Sequence, residues 1–71
     1  MRLSYDVETD SLYIHLSERP GADASEVSEG VVLDYDAAGA PVGIDVQRAS
    51  HVADIASLLV EHLPAHTVKV A

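Results

Sequence analysis

Cysteine, phenylalanine and tryptophan are absent from the chain, and its aromatic content is limited to Tyr5, Tyr13 and Tyr35. Disulfides and thiolate metal sites are therefore excluded, a composition that suits a reducing cytoplasm. Basic residues are nearly as scarce. Arg2, Arg19, Arg48 and Lys69 are scattered against twelve acidic residues, for a formal charge of −8. Phosphate binding needs clustered Lys and Arg, so no nucleic-acid partner is expected, and an anionic membrane surface is disfavoured for the same reason. No run approaches the roughly 20 apolar residues that span a bilayer, and Met1-Arg2-Leu3-Ser4 leads into no signal-peptide-like apolar stretch. The expected setting is cytoplasmic. Besides aiding solubility, such acidity favours encounter with a basic protein partner, most strongly at low salt.

Residues 1–71 make one small domain, and a chain of this length buries only about 60% of the surface its unfolded form exposes. With Leu, Ile, Val and Ala as its core material, it would gain from association into a homodimer or higher oligomer.

What the chain does have is two runs of strict apolar alternation. Leu3, Tyr5 and Val7 alternate with polar residues, as do Leu12, Ile14 and Leu16, and a loop from Val7 to Asp10 would set Tyr5 opposite Leu12 and Leu3 opposite Ile14. Ser17 to Ser25, with Arg19-Pro20-Gly21-Ala22-Asp23, reads as a surface loop. A third strand is expected from Glu26 to Tyr35 and a fourth from about Ala40 to Arg48, joined by the turn Asp36-Ala37-Ala38-Gly39. That turn would set Leu33 opposite Val42 and Val31 opposite Ile44, with Gly43 opposite Val32 on the outer face.

Ser50 is placed to cap a helix running from His51 to Leu63, ended by Pro64, with Val52, Ile55, Ala56, Leu59 and Leu63 at the spacing of one apolar stripe. Residues 64–71 have no assigned conformation, and 66–71 form either a short added strand or a loose tail. The expected fold class is α+β: a four-stranded antiparallel β-meander of two hairpins with one C-terminal α-helix packed on one face.

Three segments occur together in order: Tyr5-Asp6-x-Glu8-x-Asp10-x-Leu12-Tyr13-Ile14-x-Leu16, Gly30-x-x-x-Asp34-x-Asp36-x-x-Gly39 and Val42-Gly43-Ile44-Asp45-Val46-x-x-Ala49-Ser50. In combination, over roughly residues 3 to 60, they resemble the domain of unknown function family 2283. Asp45 stands where that family commonly has Glu, which keeps the charge and shortens its reach. The resemblance implies a small prokaryotic protein with no assigned activity. Some members resemble antitoxins by being encoded beside candidate toxins, which would fit an acidic protein that masks a basic partner. No residue role can be carried over.

Three constellations invite chemistry. Asp6-x-Glu8-x-Asp10 has the alternate spacing of the first calcium-loop ligands, but Ser11 and Ser17 stand where an EF-hand needs Gly and Glu, so a turn role outweighs divalent-cation binding. His51 and His62 would be about 16 Å apart along a helix, and Pro64 separates His62 from His66, so no metal site is assigned. Tyr13, His15, Val32, Asp34, Gly43, Asp45 and Gln47 would project together from the outer sheet face. His15 with Asp34 or Asp45 suggests a small hydrolase-like site, yet no nucleophile elbow or oxyanion donors accompany them, so no catalytic residue and no cofactor are assigned. The stronger expectation is a non-enzymatic, acidic protein-interaction module with this mixed face as its interaction face.

Overall fold

Apolar alternation governs the first hairpin. In the computed structural model, which describes residues 1–58, 60 and 61, β1 (Arg2–Asp6) pairs antiparallel with β2 (Ser11–His15). Leu3 faces Ile14 and Tyr5 faces Leu12, the register expected from the pattern. The Asp6 carboxylate accepts the Glu8 N–H at 3.0 Å inside the turn, and Asp10 closes it in the left-handed region at φ 53, where a short polar side chain is tolerated.

The remaining strands are β3 (Asp23–Ser28), β4 (Val31–Tyr35) and β5 (Pro41–Val46). The sheet thus has five strands rather than four, in the order β1-β2-β5-β4-β3. The single strand expected from Glu26 to Tyr35 is a hairpin, because Gly30 takes φ 77 and turns the chain between β3 and β4. Part of the expected surface loop, from Asp23, belongs to the edge strand β3. Nor is the sheet a simple meander. The β1–β2 hairpin lies beside a three-stranded β3–β4–β5 unit, and the two are joined by antiparallel pairing of β2 with β5, Ile14 opposite Ile44 and Leu12 opposite Val46.

Within the second unit, Leu33 faces Ile44, Val31 faces Val46, Val32 faces Asp45 and Asp34 faces Gly43, two residues further along β5 than expected. The cause is a bulge. Tyr35 pairs with Pro41 while Asp34 pairs with Gly43, so Val42 is the extra residue. Its carbonyl accepts both Leu16 N–H, at 2.9 Å, and Ser17 N–H, at 3.3 Å.

The expected helix from His51 to Leu63 is reduced to the four-residue α1 (Ala49–Val52). Its N-cap is Arg48, left-handed at φ 49, and not Ser50, whose hydrogen-bonding groups are engaged elsewhere. Ala53 is extended, and no later described residue is helical. Val52 and Ala56 of the expected apolar stripe are exposed and Ile55 is only half-buried, so burial does not hold a longer helix together. Residues 59 and 62–71, which include Leu59, His62, Leu63, Pro64, His66 and the 66–71 segment, lie outside the described residues. No helix among the described residues is long and apolar enough to cross a membrane.

Candidate functional site

The register assigns each strand residue to one of two faces. Leu3 and Tyr5 of β1, Leu12 and Ile14 of β2, Ile44 and Val46 of β5, and Val31 and Leu33 of β4 share the first. Its charged strand residue is Asp23, at the far end of the edge strand β3, opposite Tyr35. The second face carries Arg2, Ser4, Tyr13, His15, Gly43, Asp45, Val32, Asp34 and Glu26.

Six of the seven residues expected to project together do share this second face. Gln47 lies just beyond β5, where its N–H donates to the Gly30 carbonyl at 2.8 Å. Tyr13 is the organiser. Its ring lies over Gly43 so closely that a Cβ there would collide with it, and its hydroxyl donates to Asp34 at 2.6 Å. Glycine at position 43 is thus explained by an approach within the chain, with the bulge one residue earlier. The hydrogen bond to Asp34, then desolvation, then the negative charge of Asp34 and Asp45, hold the Tyr13 phenol above its ordinary pKa.

His15 does not pair with either carboxylate. Its ring packs edge-on against Tyr13, with centroids 4.5 Å apart, and lies 3.3 Å from the Arg2 guanidinium at Nδ1 and 3.4 Å from the Ser4 hydroxyl at Nε2. Asp34 is engaged by Tyr13 instead. The expected hydrolase-like pairing of His15 with Asp34 or Asp45 is therefore not formed, because β1 supplies His15's neighbours across the first hairpin.

The acidic turn is also structural. The Asp10 carboxylate accepts the Tyr5 hydroxyl at 2.6 Å, the Ser50 hydroxyl at 2.6 Å and the Ser50 N–H at 3.1 Å, while its backbone carbonyl accepts Ala49 N–H at 2.8 Å. The Ser50 hydroxyl, followed by the Tyr5 hydroxyl, holds its pKa below the usual aspartate value. Asp6 turns onto its own loop, so the two carboxylates do not converge. Among the described residues no three His, Asp or Glu side chains are placed to share a metal ion.

The turn expected at Asp36-Ala37-Ala38-Gly39 forms, and only the pairing of Arg19 with it has no local sequence signal. Arg19 Nε reaches Asp36 at 2.7 Å, and the same carboxylate accepts Ala38 and Ala40 N–H, closing the β4–β5 turn. An open recess of about 350 Å³ beside it is lined mainly by Pro20, Gly21 and alanines. The ion pair supplies its only titratable lining, which leaves no acid–base pair for catalysis there.

Burial separates the faces less than their chemistry does. Every residue of β2 and β4 is half-buried, with no alternation between inside and outside. Leu3 is 45% and Tyr5 43% exposed, and no large side chain among the described residues is fully buried. Among the described residues the buried hydrophobic ones are Val42 at the bulge and Ala49 in α1.

Residues 2–50 match the profile of a family described as "Protein of unknown function (DUF2283)". The chain belongs to this family. The DUF2283 match runs from the first residue of β1 to Ser50, so it covers the whole sheet and ends at the residue held by Asp10. It stops short of the expected limit near residue 60. No curated protein and no solved structure matches the chain significantly.

Proposed function

We propose that this DUF2283 protein is a non-enzymatic protein-interaction module working in the cytoplasm. The observation that carries this reading is that the apolar face of its sheet is as open as the polar one, with half-buried residues throughout β2 and β4. A sheet normally excludes water from one such face, and an uncovered apolar surface marks a contact site. The acidity adds a second element. With a charge of −8 concentrated on turns and on the face of Asp34, Asp45 and Glu26, the molecule complements a basic protein and accelerates its encounter. Masking such a partner, as an antitoxin masks a toxin, is the finer form of this proposal.

Sedimentation velocity of the purified chain, alone and mixed with a basic protein at low and high salt, tests the reading. Association in either form is the expected result. A chain that stays monomeric, binds no basic protein at low salt and excludes an apolar-surface dye would overturn it.

A further inference from the structure

Resting on that interaction reading, we infer that the apolar sheet face is occupied by a second copy of this chain, the two sheets packing face to face.

The first argument is charge. Two copies that each carry −8 repel one another wherever charged surfaces meet. The apolar face confines its charged strand residue to the end of an edge strand, whereas the opposite face carries Arg2, Asp34, Asp45 and Glu26 within its strands. A basic protein would find nothing to neutralise on the apolar face. A second copy would bury Ile14, Leu33 and Ile44 against their counterparts with little charge to desolvate, an isologous contact in which one patch serves both partners.

The second argument is burial. Even on the central strand β5, Ile44 and Val46 are only half-buried. A core whose buried hydrophobic members among the described residues are Val42 and Ala49 needs an occupant that is present whenever the protein is, and oligomerisation is a common solution for domains this small. The segment after α1 does not provide it among the described residues, since Leu58 and Val60 are themselves exposed.

Leu3 and Ser4 provide the test, because they are adjacent on β1 and project to opposite faces. Leu3→Glu and Ser4→Glu add the same charge to the same strand, but only the first would bury it in the contact, where an unpaired carboxylate is strongly unfavourable. Ser25→Glu and Ala24→Glu repeat the comparison on the exposed edge β3, where the core is not touched and folding is less at risk. Sedimentation equilibrium from micromolar to millimolar concentration, with circular dichroism as the folding control, should show a wild-type dimer. Its dissociation constant should rise at least about tenfold in Leu3→Glu and Ser25→Glu and stay nearly unchanged in the two controls. Raising salt should tighten the dimer by screening the net repulsion, opposite to its effect on binding a basic protein.

Equal effects of the paired variants would place self-association elsewhere and overturn the inference. A wild-type monomer that binds an apolar-surface dye would also overturn it, while leaving the face open to a different protein. A monomer that excludes the dye would mean that the chain covers its own face, and the interaction reading would lose its carrying observation as well.

Discussion

The hydroxyl of Ser50 donates to the carboxylate of Asp10 at 2.6 Å across forty residues of chain, tying the first hairpin to α1, which follows the last strand. Asp10 also receives the Tyr5 hydroxyl and the Ser50 N–H, so one side chain ties β1, the β1–β2 turn and α1 together at one end of the sheet. Asp10→Ala removes these acceptors and leaves a non-glycine residue at φ 53. Asp10→Asn retains one oxygen acceptor and a side chain suited to that backbone. Thermal denaturation should therefore rank Tm as wild type above Asp10→Asn above Asp10→Ala. Ser50→Ala should fall between wild type and Asp10→Ala, since the backbone N–H still reaches the carboxylate.

Gly43 lies beneath the Tyr13 ring, where a methyl group has no room. Gly43→Ala should destabilise the fold by about 1–3 kcal/mol, the usual cost of overpacking. In a Tyr13→Ala background the collision disappears and the same substitution should cost less. A double-mutant cycle by urea denaturation should give a coupling of about 1 kcal/mol or more, and additive effects would show that the ring does not set the constraint.

Asp36 closes the β4–β5 turn by accepting Ala38 and Ala40 N–H and also pairs with Arg19, whose side chain is 53% exposed. Exposed ion pairs contribute little, whereas lost turn acceptors leave backbone donors unpaired. Arg19→Ala should thus leave Tm almost unchanged and Asp36→Ala should lower it clearly. The difference should persist at high salt.

Ser50 and Tyr5 hold Asp10, and Ala40 and Arg19 hold Asp36, below the ordinary aspartate pKa. For such depressed groups the unfolded chain binds protons first as the pH falls. Their contribution is therefore complete above the unfolded value of about 3.9 and is lost as the pH drops through the lowered folded values. Tm should be steady above about pH 5 and decline steeply below about pH 4. An Asp10→Asn/Asp36→Asn double variant should start lower and decline less over the same range.

Local pattern was sufficient for the first hairpin, because period-two alternation and a short polar turn determine both pairing and face. It was also sufficient to group Tyr13, His15, Val32, Asp34, Gly43 and Asp45, since residue parity survives a register shift of two. The strand β3 is legible only from Glu26 and only as part of one longer strand, because Asp23–Ser28 has Val27 as its only large apolar residue and is exposed throughout, so backbone hydrogen bonds to β4 hold it without a hydrophobic signature. Gly30 was the local clue to the turn that splits it from β4. The stripe from Val52 to Leu63 was a true pattern without a matching structure among the described residues, because helical spacing describes what could be buried and not what is.

By itself the sequence determined the acidic character, the period of the strands and the separation of apolar from polar faces, all properties of neighbouring residues. Only the tertiary structure decided that β5 lies between β2 and β4, that Tyr13 spans Gly43 to reach Asp34, that Asp10 reaches Ser50, and that the apolar residues of β2 and β4 are no more than half-buried. Each of these joins residues distant along the chain, where pairing follows from which contacts the whole sheet can satisfy at once and no short segment carries the information.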